Sequence, residues 1–199
     1  MIKEVMFDYG GVIGTLPRQN LVESIAKNFG LEKKKCQQVI AMYVRGVQTR
    51  QLPDGFWEDI SSALGITRHN VLKDLWISHI EKDSEINEDV VSLIKDLRQR
   101  SYHLCLLSNT TGLYKYSPHE KRIDQLFHHK VRSCNVGFRK PEREIYLLAL
   151  HITCTKPEDC VLVDDETRNL LYPQSIGMNT ILFESSEQLK GVLEDLMGR

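Results

Sequence analysis

The sequence predicts an α/β fold: a doubly wound, mostly parallel sheet with helices on both faces and an α-helical bundle inserted into it. Three observations lead there. Short apolar runs each end at a polar residue, helical periodicity separates them, and a long strand-free stretch follows the first run. Near-continuous apolar runs mark strands buried on both faces, and strands that alternate with helices mark βαβ units.

The first run, Val5-Met6-Phe7, stops at Asp8. The second, Leu104-Cys105-Leu106-Leu107, stops at Ser108, and the third, Val161-Leu162-Val163, stops at Asp164. A fourth strand is expected at Thr180-Ile181-Leu182-Phe183, after the turn that contains Gly177. Ile86, Val90, Leu93, Ile94 and Leu97 share one helical face, with Asp83 and Ser84 as capping candidates. That helix should cross over before the Ser108 strand. Residues 187–197 read as a closing helix.

Roughly seventy residues lie between the first strand and the crossover helix, too many for a simple connection and too patterned for a loop. Four apolar stripes at helical spacing fill them: Leu21, Val22, Ile25, Ala26 and Phe29, ended by Gly30; Cys36, Val39, Ile40 and Tyr43; Phe56, Trp57, Ile60 and Leu64 after Pro53 and Asp54; and Val71, Leu72, Leu75 and Trp76. The expected division is therefore a core of residues 1–15 and 84–199 and a helical cap of residues 16–83. Inserted directly after a strand, the bundle should sit over the carboxyl end of the sheet as a lid.

The chain has 199 residues, 41% of them hydrophobic and 27% charged, with a net charge of -1. That balance suits one soluble core plus a modest insertion. The basic residues are scattered and the charge is near zero, which argues against a nucleic-acid or membrane partner. No apolar run approaches the ~20 residues of a membrane span, and Met1-Ile2-Lys3-Glu4 lacks the features of a signal peptide. A cytoplasmic protein, monomer or homodimer, is expected. Cys36, Cys105, Cys134, Cys154 and Cys160 form no CxxC pair and no zinc spacing, so buried reduced thiols are expected. The histidines show no catalytic spacing, and His128-His129 reads as part of a loop before Val131.

Ligands of an open parallel sheet bind outside the carboxyl ends of its strands, so Asp8, Ser108, Asp164 and Asp165 should converge. Carboxylates with a hydroxyl beside them make a site for a hard cation and a phosphate.

Four elements, Phe7-Asp8-Tyr9-Gly10-Gly11-Val12, Leu107-Ser108-Asn109-Thr110, Lys140-Pro141 and Val163-Asp164-Asp165, stand in the order found in the haloacid dehalogenase superfamily. The chain resembles that superfamily over nearly its whole length, and most resembles the helical-cap branch that includes the α-D-glucose-1-phosphate phosphatases. The resemblance implies a Rossmann-like core and a Mg²⁺-dependent phosphatase acting on a small, sugar-phosphate-like metabolite. In that reading Asp8 is the nucleophile and forms an aspartyl-phosphate that water then hydrolyses. Ser108 and Asn109 bind the phosphoryl group. Lys140 sets a positive charge against both phosphate and Asp8. Gly10 and Gly11 permit a tight turn whose N–H groups approach phosphate oxygens. Asp165 is the direct metal ligand and Asp164 an accessory one, with Asp8 and the Gly10 carbonyl completing the set.

One position departs from the pattern. Where many phosphatases of the superfamily carry an aspartate two residues after the nucleophile, this chain has Gly10. Without that acid, proton transfer to the leaving oxygen, typically worth ~10²–10⁴ in rate, is missing. The resemblance then implies weak turnover, or a preference for good leaving groups such as anomeric or acyl phosphates. Arg18, Tyr43, Arg45, Arg50 and Trp57 of the cap are candidates for gripping the rest of the substrate. Two other readings compete: a 2-haloacid dehalogenase, which needs neither metal nor acid, and a weakened relative that binds a phosphometabolite or a protein.

Overall fold

β1 (Glu4–Phe7) is buried along its whole length and forms the middle of the sheet, because its side chains feed two cores at once. Val5 and Phe7 face one apolar cluster and Met6 the other. The computed structural model describes residues 1–15 and 18–198, and side chains from residue 20 onward in the second segment.

After β1 come the two-residue strand β2 (Gly14–Thr15) and the helices α1 (Arg18–Phe29), α2 (Lys33–Gly46), α3 (Phe56–Leu64) and α4 (His69–Asp83). They are followed by β3 (Glu85–Ile86), α5 (Glu88–Gln99) and β4 (His103–Ser108). A 3₁₀ turn at Gly112–Tyr116 and α6 (Glu120–Asp124) lead to β5 (His129–Arg132). The chain ends with α7 (Ser133–Val136), α8 (Arg143–Thr153), β6 (Cys160–Asp164), α9 (Thr167–Ser175), β7 (Asn179–Leu182) and α10 (Ser186–Met197).

The main sheet is wholly parallel, in the order β5-β4-β1-β6-β7. This is the expected doubly wound architecture, with one apolar cluster on each face. Register decides what meets at its carboxyl end. Phe7 lies opposite Leu106 on β4 and Val163 on β6, which brings Asp8 level with Leu107 and Asp164, one residue short of Ser108.

A separate apolar cluster joins Leu21, Ile25, Cys36, Ile40, Ile60, Leu64, Leu72 and Trp76 from the four helices, with Leu113 of the 3₁₀ turn packed into it. Phe56, Trp57 and Trp76 stack edge to face within the bundle, with ring centroids 5.1 to 6.4 Å apart. The chain leaves and re-enters the sheet layer side by side, because β2 and β3 pair antiparallel and Asn87 N–H donates to the Ile13 carbonyl at 2.8 Å.

Three local expectations change. β5 replaces the loop expected around His128-His129. Only Val131 in His-Lys-Val-Arg is apolar, and an edge strand with one neighbour needs no continuous apolar run. α5 is capped by Asn87, whose side chain accepts the Val90 N–H, whereas Asp83 and Ser84 close α4 through His79 and the Ile80 carbonyl. All five cysteines are free thiols, but Cys154, just past α8, is exposed rather than buried. Among the described residues no helix is long and apolar enough to cross a membrane.

Candidate active site

Asp8 follows β1 directly, and its backbone N–H still donates to Val163 at 2.9 Å, so the ladder continues to the base of the side chain. Oδ1 accepts the Tyr9 N–H at 2.7 Å and lies 2.9 Å from Lys140 Nζ. Both contacts fall on one oxygen, which leaves Oδ2 for chemistry. Burial pushes the Asp8 carboxyl up to about 6, with Lys140 opposing that rise and Asp164 adding to it.

Lys140 is the centre of the charge arrangement. Its ammonium bridges Asp8 and Asp164, at 2.9 Å and 2.6 Å, and its side chain is fully buried. Burial alone would lower its pKa, but the two carboxylates together hold it above the ordinary lysine value. The Lys140–Pro141 peptide is cis.

Asp164 ends β6 and accepts from three donors. Oδ2 takes the Lys140 ammonium, and Oδ1 accepts the Glu166 N–H and Asn169 Nδ2, both at 2.9 Å. Asn169 is held in turn from α8, because Tyr146 Oη donates to its carbonyl at 2.7 Å. Asp165, the next residue, is exposed, and its carboxyl is raised by partial burial and by the Asp164 charge.

Oxygens of Asp8, Asp164 and Asp165 lie within 4.8 Å of one another. An all-carboxylate donor set at this spacing fits a hard cation such as Mg²⁺, which takes oxygen ligands and retains water. It does not fit a soft-metal site.

The two glycines of the turn after Asp8 differ. Gly11 has φ +76, and a Cβ there would stand 2.0 Å from Asp165 Oδ2, so the turn must be glycine for Asp165 to reach the site. The Gly11 N–H donates to the Gly14 carbonyl at 3.1 Å, so the turn takes the donor that the sequence reading assigns to phosphate. At Gly10 a Cβ would meet nothing within 4 Å.

Ser108 is buried at the end of β4. Behind it lies a cavity of about 30 Å³, lined by Tyr9, Thr110, Tyr114, Asp124 and Arg132 among others. Arg132 pairs with Asp124 and stacks 4.3 Å from the Tyr114 ring centroid, and the Tyr9 hydroxyl is buried beside them. Asn109, expected to bind phosphate, turns its carboxamide to the backbone of Lys140 and hydrogen-bonds it through both polar atoms. Nothing in the local sequence signals this, because a side-chain amide does not announce its partner.

Of the residues expected to grip the substrate, Tyr43 and Arg50 line a cavity beside α2 and α3. Trp57 belongs to the aromatic cluster, and Tyr43 packs on Phe56 while its hydroxyl donates to the Asp59 carbonyl at 3.1 Å. Arg45 and Arg50 are exposed, and the Arg18 side chain lies outside the described residues. The loop after α2 reaches α7 and the segment after it through Gln51, which donates to Asn135 Oδ1 at 2.8 Å, and Gln48, which accepts from Arg139 at 3.2 Å.

The family model of the haloacid dehalogenase-like hydrolases matches residues 4–174. The chain belongs to that family. As a whole-length relative, this hydrolase is similar to the D-ribitol-5-phosphate phosphatase of Bacteroides thetaiotaomicron, 25% identical over 195 residues that cover 90% of this chain and 91% of the relative. It is also 28% identical over 122 residues to bifunctional epoxide hydrolase 2 of Rattus norvegicus, a match to 57% of this chain. The hydrolase spans only about a fifth of that relative's length, 21%. In three dimensions it superposes, with a TM-score of 0.74 and 22% identity, on a haloacid dehalogenase family enzyme of B. thetaiotaomicron crystallised with magnesium and inorganic phosphate. The match covers 92% of this chain and 95% of that one, and establishes the common fold.

Proposed function

We propose that this hydrolase is a Mg²⁺-dependent phosphatase of a small, sugar-phosphate-like metabolite and that it works through an aspartyl-phosphate at Asp8. The observation that carries the reading is the buried Lys140 ammonium between Asp8 and Asp164, with Asp165 beside them. One buried cation set against a nucleophilic carboxylate reduces the repulsion an incoming phosphate would meet.

Asp8 Oδ2 attacks phosphorus, the P–O bond to the leaving group breaks, and the departing oxygen takes its proton from solvent. Water then attacks phosphorus of the acylphosphate and releases inorganic phosphate with Asp8 restored. Ser108, Lys140 and the main chain at Asn109 hold the phosphoryl oxygens, while Gly11 shapes the turn. Asp8, Asp165 and the Gly10 carbonyl would hold Mg²⁺, with Asp164 as an accessory partner. When bound, the ion supplies positive charge against the phosphate oxygens. The division into a core of residues 1–15 and 84–199 and a cap of residues 16–83 belongs to the same proposal, with the cap selecting the leaving group.

Similarity to a ribitol-phosphate phosphatase over nine-tenths of both chains supports a polyol or sugar phosphate as substrate class. The acidic trio favours this reading over dehalogenation, which has no use for a cation site. The test is a panel of phosphorylated metabolites assayed with and without Mg²⁺, beside Asp8→Asn. Turnover that depends on Mg²⁺ and vanishes in the variant is expected. Turnover no greater than that of Asp8→Asn would overturn the reading, and halide release that survives EDTA would favour the dehalogenase.

A further inference from the structure

Asn109 and Lys140 meet in a two-point contact across 31 residues of chain. Asn109 Oδ1 accepts the Lys140 N–H at 2.8 Å, and Asn109 Nδ2 donates to the Lys140 carbonyl, also at 2.8 Å. One planar side chain thus holds both polar groups of one backbone residue, which fixes its height and its rotation together.

Lys140 needs such support. It lies between α7 and α8 in a segment that is neither helix nor strand, and no ladder fixes its backbone. Its side chain has four rotatable bonds, and holding a buried lysine in one rotamer costs conformational entropy. Asn109 is itself well placed to act as the support, because it follows β4 directly. The next residue repeats the device: Ser133 Oγ accepts the Thr110 N–H at 2.9 Å and donates to the Thr110 carbonyl at 3.0 Å, and Ser133 is fully buried. Two consecutive two-point contacts therefore run from the end of β5 through the loop after β4 to Lys140.

We propose that Asn109 is a positioning residue that acts through Lys140, setting where the ammonium meets Asp8 and Asp164, and that its side chain is not a phosphate ligand. The proposal deepens the phosphatase reading and rests on it for its kinetic consequences. Asn109→Ala removes both contacts. Asn109→Asp keeps the acceptor but turns a second oxygen toward the Lys140 carbonyl, so it should do no better than Ala.

With the best substrate of the panel, Asn109→Ala is expected to lower kcat by about 10²-fold, the cost of misplacing a group by about an ångström. KM should rise by much less than kcat falls, since Ser108 and the main chain at Asn109 still hold the phosphate while Lys140 is displaced. In a Lys140→Met background the same change should cost less than about twofold, because the group it serves is gone. Losses that multiply in the double variant, or a rise in KM that carries the whole effect, would overturn the proposal and return Asn109 to the phosphate. A crystal structure of Asn109→Ala tests it without activity: Lys140 Nζ should leave Asp8 beyond about 3.2 Å hydrogen-bond reach. An ammonium still bridging both carboxylates would refute the positioning role. That arm also decides the matter if Lys140→Met does not fold. An inactive wild type would remove the phosphatase reading while the crystallographic arm still judged the role of Asn109.

Discussion

Replacing Glu4 by Gln should stabilise the protein at about pH 8 and change little at about pH 5. Glu4 stands on the central strand with 1% exposure, and neither of its carboxylate oxygens has a hydrogen-bond partner among the described residues. Across the ladders it lies opposite His103 of β4 and Cys160 of β6. Burial raises its carboxyl from 4.5 to about 8. In the folded protein it is therefore protonated at neutral pH, whereas in the unfolded chain it is ionised. Between those two values the native state holds the extra proton, so the Glu4 contribution is full below pH 4.5 and is lost as pH climbs through about 8. The slope within that window is up to about 1.4 kcal/mol per pH unit. The whole window corresponds to about 5 kcal/mol, and relaxation of the fold around the ionised carboxylate reduces the expected total to about 2–4 kcal/mol. Gln is neutral throughout, so the difference between the two proteins isolates the ionisation. Urea titrations of both, from about pH 5 to about pH 8, read it directly. A difference that does not change with pH would show that Glu4 keeps an ordinary carboxyl, and the reasoning from its buried oxygens would fail.

Other consequences concern the cluster after β1. Gly11→Ala places a Cβ 2.0 Å from Asp165 Oδ2 in a left-handed backbone, so Asp165 must move. We expect about 1–2 kcal/mol of lost stability and a 10-fold or greater loss of Mg²⁺ affinity by calorimetry, and an unchanged affinity would argue against Asp165 as a ligand. At Gly10 the space is open, and Gly10→Asp would supply the absent acid. Hydrolysis of alkyl phosphates should rise by about 10²-fold while acyl phosphates change little; equal changes for both would show that leaving-group protonation is not limiting. Finally, Asp8 without a cation titrates near 6, so protons and Mg²⁺ compete for one carboxylate. Mg²⁺ affinity should fall as pH drops below about 6, approaching tenfold per unit, and a flat calorimetric profile from about pH 7 to about pH 5 would contradict this.

The three central strands are legible because burial on both faces demands uninterrupted apolar side chains, as in Val5-Met6-Phe7 and Val161-Leu162-Val163. Asp8, Ser108 and Asp164 are legible for a related reason: a polar residue that ends a buried strand stands where the sheet ends. β5 escapes detection because an edge strand with one neighbour tolerates His129, Lys130 and Arg132. Tyr43 and Trp57 read equally well as ligand contacts or as packing, since both uses require a large aromatic side chain. Their packing on Phe56 and Trp76 is visible only in the fold.

By itself, the sequence determined the parallel α/β core, the helical insertion and the strand ends at which carboxylates accumulate, because periodicity and burial act over a few neighbouring residues. The tertiary structure alone decided which oxygen of Asp8 faces Lys140, that Asp164 accepts from Lys140, Glu166 and Asn169, and that the Asn109 carboxamide hydrogen-bonds the Lys140 backbone. It also left the Glu4 carboxyl in the sheet without a hydrogen-bond partner among the described residues. These outcomes depend on hydrogen bonds between residues tens of positions apart, whose geometry exists only once strand register and loop paths have been set.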